Sequence, residues 1–235
     1  MTHSDPTLLA RMAAAEKYGA EYFRNRQGND PIRLEMFARE KRILERRLDA
    51  QHFLKGRVLD IGCSTGEFLK AIGWQMTNAW GMEVAEFAKQ QARSIGISFD
   101  KDVFSEKDFF DLVILRGTIQ YLPSPFEYLY ASHRCLKPGG YLFLTAPNTN
   151  SLYYRLFKTL PFLEEELHFW IPCDTSLRMV LRNCGFRNVE FTYPYLDSPY
   201  AKPVQDHLKF LAKLVLRTNH RFPFWRNIMC VIAQK

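Results

Sequence analysis

Apolar and polar positions alternate along this chain in blocks that predict strands and helices in turn. The apolar runs LVIL at 112–115 and YLFLT at 141–145 are short, as in strands that are buried on both faces. Segments with apolar residues at every third or fourth position lie between such runs and predict helices that cover the sheet. We therefore expect an α/β fold with a doubly wound, mostly parallel sheet.

Turn and capping residues divide this pattern into elements. Asp30 and Pro31 predict the start of a helix in front of the core, and LKPGG at 136–140 predicts a helix end and a turn, because Pro138 cannot continue a helix. The predicted strands are 57–61, 78–82, 97–99, 111–115, 140–145, 186–193 and 227–234. The predicted helices are 7–26, the helix from Pro31, 66–73, 85–95, 125–136, a helix between a cap at Asp174 or Thr175 and a stop at Gly185, and 204–217.

Composition excludes several classes of protein. An apolar fraction of 47% with 14% aromatic residues is ample for a packed core, which argues against disorder. No apolar run reaches the length of a membrane-spanning helix, and the first residues lack the pattern of a signal peptide. The five cysteines have no zinc-ligand spacing, so we expect no metal site and reduced thiols. These features predict a cytoplasmic protein, with a place at the membrane periphery as the alternative.

The net charge of +7 is concentrated near the end of the chain. Residues 178–235 hold many more Lys and Arg than Asp and Glu, whereas bases and acids balance in the rest. In the predicted helix 204–217, Lys209, Lys213 and Arg217 recur every four residues and should share a solvated face. The functional alternatives are an anionic or lipid-linked substrate and an anionic membrane surface.

The segment VLDIGCSTGEF at 58–68 predicts a strand, a glycine turn and a helix, which together form a cradle for a nucleotide-like ligand. A triphosphate-binding loop would need Lys after Gly66, where this chain has Glu67. The dinucleotide fingerprint fails at Ser64 and again at Glu67. An acid beside the turn, Asp60, repels phosphate but suits a cofactor that carries positive charge, such as S-adenosylmethionine.

This glycine motif resembles that of the class I S-adenosylmethionine-dependent methyltransferases, and further matches follow in the same order. AWGME ends at Glu83, FFDLVILRGTIQYLPSP resembles the family's fourth-strand segment, and CLKPGGYLFLTAPN resembles the turn into the fifth strand. The stretch HFWIPCDTSLRMVLRNCGF is similar to small-molecule members that methylate quinones and sugars. The resemblance covers roughly residues 30–193 and implies a Rossmann-like sheet of seven strands, the last antiparallel beside 186–193.

The resemblance also implies a domain organisation. Residues 1–54 would form covering helices, and 55–235 would form the methyltransferase domain. Within that domain, the irregular and aromatic-rich segment 147–174 would be a lid, and 194–226 a basic helical insertion.

Site residues follow from the same resemblance. Asp60 and the carbonyl of Gly62 would meet the ammonium group of the cofactor, and Glu83 would hold its ribose hydroxyls. Asp102 would face the adenine amine, with Asp100 as its rival. Gly66 would allow the following helix to approach. The remaining residues at the turn and around the sulfonium would be Cys63, Arg116 and Gly117.

The acceptor site is less defined by the resemblance. Gln120 stands where relatives often carry His. His168 lies in the lid and has the chemistry of a general base, although a His that only hydrogen-bonds within the loop is the alternative. Rings in the lid would exclude water or only pack on the sheet: Tyr153, Tyr154, Phe157, Phe162, Phe169 and Trp170.

Three functions agree with these features. The first is O-methylation of a small molecule such as a sugar or glycan intermediate. The second is methylation of RNA through the basic C-terminal region, which is not favoured because the aromatic residues there form no base-stacking pattern. The third is a regulator that binds the cofactor without catalysis.

Overall fold

A computed structural model describes residues 31–48, 54–161, 168–218 and 220–235. Its centre is a six-stranded sheet with the order β2-β1-β3-β4-β6-β5. Strand β6 is antiparallel to both β4 and β5, and the other pairs in the sheet are parallel. The strands are β1 (Val58–Ile61), β2 (Ala79–Met82), β3 (Phe110–Arg116), β4 (Leu136–Pro147), β5 (Arg187–Thr192) and β6 (Ile228–Gln234).

Helices separate the strands, as the sequence pattern predicts. The described helices are α1 (Pro31–Glu45), α2 (Glu67–Ile72), α3 (Glu86–Ser94), α4 (Pro125–Cys135), α5 (Leu152–Phe157), α6 (Asp174–Asn183) and α7 (Pro203–Leu216). The predicted helix 7–26 lies outside the described residues, as do 49–53 of the predicted N-terminal segment.

The sheet has six described strands and not seven, so the predicted strand count is wrong. The missing strand is 97–99, which forms only an isolated parallel bridge between Ser98 and Trp80 beside β2. The segment is short and lies at the open edge of the sheet, and two backbone hydrogen bonds hold it, from Gly81 to Ser98 and from Ser98 to Ala79. The predicted antiparallel pairing of the last strand with β5 is confirmed.

The predicted turn LKPGG lies inside β4 and does not precede it. Leu136 pairs with Phe110 and Tyr141 pairs with Leu112, so the register shifts between these two pairs. The intervening residues, including Pro138, bulge out of the ladder between β3 and β4. Because proline has no N–H group, this bulge avoids a missing hydrogen bond within the ladder.

Helix α1 covers one face of the sheet at the edge of the core. Phe37 and Leu44 are fully buried and pack with Phe68 of α2 and with sheet residues such as Ile114, as the helical spacing predicts. The ring of Phe37 meets that of Phe68 edge to face at 5.3 Å. This packing places the polar face of α1 beside the carboxyl end of β3.

A small second core joins the predicted lid to the predicted basic insertion. Its centre is Tyr153 of α5, whose ring contacts Phe157, Phe210 of α7, Phe222 and Phe224. The tyrosine hydroxyl donates to the carbonyl of His220 at 3.0 Å. Residues 162–167, with Phe162 and the acids at 164–166, lie outside the described residues.

The orientation of α7 differs from the prediction. Lys213 is buried, and its ammonium group donates to the carbonyls of Thr218 and His220 at 2.8 and 3.0 Å. The predicted solvated stripe of three bases is therefore wrong, because its middle base, Lys213, points into the protein and donates to carbonyls that follow the C-terminal end of α7. Leucines and valines of α7 are exposed instead.

The five cysteines are free thiols. Among the residues that the structure describes, no helix is long and apolar enough to cross a bilayer.

Candidate active site

A cavity of about 1160 Å³ opens at the carboxyl ends of β1, β2 and β3. In parallel α/β sheets, ligands bind at this edge, where neighbouring crossovers diverge. Eight of the ten predicted site residues line the cavity: Asp60, Gly62, Cys63, Glu83, Asp102, Arg116, Gly117 and Gln120. Gly66 and His168 do not.

The glycine turn takes the shape that only small residues allow. Gly62 has φ +78°, and a Cβ atom there would lie 2.5 Å from the hydroxyl oxygen of Thr118. Gly66 has φ +77°, and a Cβ atom would collide with Ile97, so this residue lets α2 pack closely although it does not touch the cavity. Ser64 also has a positive φ, of 54°, which is costly for a residue with a side chain.

The carboxylate of Glu83 is fixed at the end of β2 by three backbone donors. One oxygen accepts from the amide of Ser64 in the glycine turn at 2.9 Å. The other accepts from the amides of Val84 and Ala85 at 2.7 and 2.9 Å. The protein thus uses both acceptor sites of one oxygen and one site of the other, so the oxygen that accepts from Ser64 keeps a site for a ligand hydroxyl.

Asp60 is a buried carboxyl at the floor of the same cavity. Burial raises the pKa of Asp60 to about 7, the guanidinium of Arg116 opposes this rise, and Glu83 adds to it. A carboxyl with such a pKa gains from a cationic ligand, because the ligand stabilises the ionised form. The site therefore favours positive charge at this point.

The two candidates for the adenine side are separated by the structure. Asp102 lines the cavity, and its carboxylate accepts from the amides of Phe104 and Ser105 at 2.7 and 2.8 Å. Asp100 accepts from the indole of Trp80 at 2.9 Å and is not on the cavity wall. Of the two acids, only Asp102 thus lies on the cavity wall.

Arg116 has a partner that the sequence analysis missed. Its Nε donates to the carboxylate of Glu40 in α1 at 2.5 Å, and its guanidinium lies over the rings of Phe37 and Phe68 at 4.6 and 5.3 Å. Both charged residues line the cavity. The one signal in the sequence was an acid on the same face of α1 as Phe37 and Leu44, at a position where a core residue is expected.

Gln120 lies in a single helical turn after β3 and is 6% exposed. Its Nε2 donates to the carbonyl of Gly117 at 3.0 Å, whereas its Oε1 accepts no hydrogen bond within the described residues. A buried amide oxygen of this kind, on a cavity wall, is suited to accept a hydrogen bond from a ligand.

His168 lies behind this wall. Its ring is 5.0 Å from that of Tyr121, which lines the cavity, and the amide of Phe169 donates to the carbonyl of Gln120 at 2.9 Å. The five described rings of the predicted lid do not line the cavity, although Pro161 at the end of that segment does. Tyr153, Tyr154 and Phe157 pack in the second core, Trp170 packs against Phe126, and Phe169 is exposed.

Part of the cavity lining comes from residues that are distant in the chain from the glycine turn, and we call this part the proline-lined arm. Its wall comes from the segment 194–200 and from residues of β4, β6 and their flanks. Five prolines line this arm and its approaches: Pro147, Pro161, Pro194, Pro199 and Pro223. Asp197 is the one charged residue that 194–200 contributes to this wall.

These residues fit S-adenosylmethionine. A fixed carboxylate suits a ribose, a buried acid suits a cationic group, and Asp102 offers a further acid on the cavity wall, whereas the glycine turn has an acid where a phosphate-binding loop has Lys. The cavity is also large enough for a second ligand beside the cofactor.

Comparison with known proteins agrees with this fit. Residues 32–191 match a family model described as a methyltransferase domain. A curated relative, the ubiquinone biosynthesis O-methyltransferase of Thiobacillus denitrificans, is 30% identical over 111 residues, which are 43% of this chain and 48% of the relative. The chain thus matches about half the length of this curated relative.

Solved structures show the same fold. An S-adenosylmethionine-dependent methyltransferase from Archaeoglobus fulgidus aligns with a TM-score of 0.60 at 20% identity, over 85% of this chain and 94% of the other. Phosphoethanolamine N-methyltransferase 2 of Haemonchus contortus, solved with S-adenosylmethionine, aligns with a TM-score of 0.57 at 18% identity, over 84% and 52%. With the family match over most of the chain and the geometry of the cavity, the chain belongs to the class I S-adenosylmethionine-dependent methyltransferases.

Proposed function

We propose that the chain methylates an oxygen of a small-molecule acceptor of the sugar, glycan or quinone type. The observation that carries this proposal is the Oε1 atom of Gln120, which is buried on the cavity wall and accepts no hydrogen bond from the described residues. A neutral amide oxygen can orient a hydroxyl by accepting its proton in a hydrogen bond. The curated relative is also named an O-methyltransferase, which supports oxygen as the methylated atom.

The work of the protein in this reaction is positioning and exclusion of water. S-adenosylmethionine, when bound, supplies an activated methyl group. Glu83 and Asp102 would orient the nucleoside, and Asp60 would hold the positive end, while the proline-lined arm keeps the acceptor in line with the methyl group. Displacement at a methyl carbon requires little further help from the protein beyond this alignment.

The proton of the acceptor hydroxyl needs a destination, which the amide of Gln120 does not provide. His168 remains our proposed base, and in this role it would reach the acceptor through a shift of the Tyr121 ring, which lies 5.0 Å from its own ring and lines the cavity. An acceptor hydroxyl of low pKa, as in a phenol or quinol, would release its proton to solvent without such a shift.

The test is transfer of a labelled methyl group from S-adenosylmethionine into cell extract, followed by identification of the product. With the unmethylated form of that product as substrate, we expect Gln120→Leu to lower kcat/KM about tenfold or more while cofactor affinity stays unchanged. If His168 is the base, His168→Ala and His168→Gln should both lower kcat about a hundredfold. Label in nitrogen or in nucleic acid, or binding without transfer to any acceptor, would contradict the proposal.

RNA as the acceptor receives less support from the basic region than its composition suggests. Lys213 is buried, and Arg226 donates to the carboxylate of Asp174 and to the hydroxyl of Tyr193. Lys213 is therefore not free to contact a phosphate, and one nitrogen of the Arg226 guanidinium is engaged within the protein.

We expect the affinity for S-adenosylmethionine to rise about tenfold between about pH 6 and about pH 8. Because the pKa of Asp60 is raised to about 7, its carboxyl is mostly protonated at the lower pH and ionised at the higher one, and only the ionised form attracts the cation. Calorimetry at both pH values measures this change.

Asp60→Asn is the matched control. The amino group of the cofactor contributes the same pH dependence with both proteins, so the difference between their pH profiles reports the ionisation of Asp60. The affinity of the variant should be lower and should lack the tenfold rise that ionisation of Asp60 gives the wild type. Without ligand, the free energy of unfolding should fall as pH rises from about 4 to about 7, since the folded state holds the Asp60 proton more tightly than the unfolded chain, and this fall should be absent from Asp60→Asn. An unchanged pH profile in the variant would contradict the assignment.

A further inference from the structure

Helix α7 turns its apolar stripe away from the protein. Val204, Leu208, Leu211 and Val215 are spaced by four, three and four residues, so they follow one line along the helix. They are 76%, 62%, 59% and 79% exposed. Single exposed leucines are common on protein surfaces, but a continuous stripe along the full length of a helix marks an interaction site.

The opposite face of the same helix buries charges. Asp206 is 2% exposed and accepts from the hydroxyl of Tyr195 at 3.0 Å and from the amide of Lys202 at 2.8 Å. Lys213 is buried at the other end, with its ammonium group 5.0 Å from the centre of the Phe157 ring. Two internally satisfied charges and Phe210 therefore fix the rotation of α7, so the exposed stripe is a property of the packed structure.

The charges that remain on the surface of α7 and its ends are all positive. Within the helix, Lys209 is exposed, and Asp206, the helix's acid, is buried. Lys202 precedes the helix, and Arg217 and Arg221 follow it, all exposed. An apolar stripe with a rim of bases is the pattern of a helix that lies in the interface of a bilayer with anionic lipids. Two copies of this face would place like charges opposite each other, which disfavours a symmetric dimer.

Helix α7 also follows directly, in the chain, on a segment that forms part of the proline-lined arm. Segment 194–200 lines the cavity and leads directly into α7, and Tyr195 ties this segment to the helix through Asp206. Trp225, 41% exposed, lies beside them and donates to His207 of α7 at 3.1 Å. An indole in such a place suits the headgroup region of a bilayer. A surface that rests on lipid would thus bring the proline-lined arm close to the membrane.

We propose that α7 docks on an anionic lipid bilayer through Val204, Leu208, Leu211 and Val215, with Lys209 and the flanking bases on the lipid headgroups. This docking presents the proline-lined arm to an acceptor that carries a lipid chain. The second statement rests on the proposed function, whereas the docking itself does not.

Flotation of the full chain with vesicles tests the docking. We expect binding to vesicles of phosphatidylcholine mixed with phosphatidylglycerol, and much weaker binding to phosphatidylcholine alone. Leu208→Ser together with Leu211→Ser should lower the partition coefficient about tenfold or more, since two side chains no longer enter the apolar layer. Lys209→Glu should lower it about tenfold on the anionic vesicles.

Met179→Ser is the matched control, because Met179 is 59% exposed on α6, outside this surface, and should bind vesicles like the wild type. Circular dichroism and calorimetry of S-adenosylmethionine binding should be the same for all variants. The docking would be overturned if the leucine variant has the same partition coefficient as the wild type, even if vesicle binding of both proteins weakens with salt. It would also be overturned if the wild type forms a dimer and does not bind vesicles, while the leucine variant is a monomer.

The same variants separate this proposal from the function of the cavity. A detergent-dispersed acceptor should be methylated equally well by the wild type and by the leucine variant. Methylation without vesicle binding overturns the docking alone, and vesicle binding without methylation overturns the proposed function alone.

Discussion

Glu83→Ala is expected to weaken the binding of S-adenosylmethionine by about 1.5 to 3 kcal/mol, which is about 10- to 150-fold in Kd. The change removes a charged acceptor that stands at the end of β2 on the cavity wall. It also leaves the amide of Ser64 without its partner, so the glycine turn loses the contact that holds it against β2. Calorimetric titration at a fixed pH measures the effect.

Glu86→Ala provides the control for this prediction. Glu86 is three residues further along, in the first turn of α3, with 60% of its side chain exposed in a surface ion pair with Lys89, and it should leave Kd within about twofold of the wild type. Glu83→Gln keeps one acceptor oxygen and should lie between the wild type and Ala. If Glu83→Ala binds as well as Glu86→Ala, Glu83 is a structural residue of the turn and not a cofactor ligand.

The part of the site that sequence analysis predicts is local in the chain. Asp60, Gly62 and Glu83 stand at or just beyond the ends of β1 and β2, and parallel strands bring their carboxyl ends to one edge of a sheet. The periodic apolar runs predict the order of strands and helices for the same reason. The prediction of strand 97–99 fails because these three residues form only an isolated bridge with β2, and an apolar sequence pattern does not report how many ladder hydrogen bonds a segment makes.

The parts that were missed depend on contacts between distant residues. Nothing near Arg116 in the chain indicates that Glu40 would neutralise it, since the two meet only when α1 packs on α2 and β3. The rotation of α7 is a similar case. Its leucines and its bases each form a stripe, and periodicity alone favours burying the leucines, but Asp206 and Lys213 find internal partners that outweigh this preference.

Glu40→Ala is expected to lower the free energy of unfolding by about 3 kcal/mol, because it leaves the guanidinium of Arg116 partly buried without its counter-charge. The side chains of Arg116 and Glu40 are 21% and 10% exposed, so water replaces only part of the lost interaction. The affinity for S-adenosylmethionine should fall as well, since an unpaired cation beside Asp60 repels a cationic ligand and competes for that carboxylate. Urea denaturation and calorimetry measure the two effects.

Glu35→Ala is the control in the same helix, because the carboxylate of Glu35 is 52% exposed in an ion pair with Arg39 one turn further on. It should change stability by about 0.5 kcal/mol or less. Replacing both partners, Glu40→Met with Arg116→Met, should recover much of the loss, since the rings of Phe37 and Phe68 offer an apolar surface to the new side chains. If Glu40→Ala is no more destabilising than Glu35→Ala, or if the double variant is as unstable as the sum of the single ones, α1 contributes packing to this site but no charge compensation.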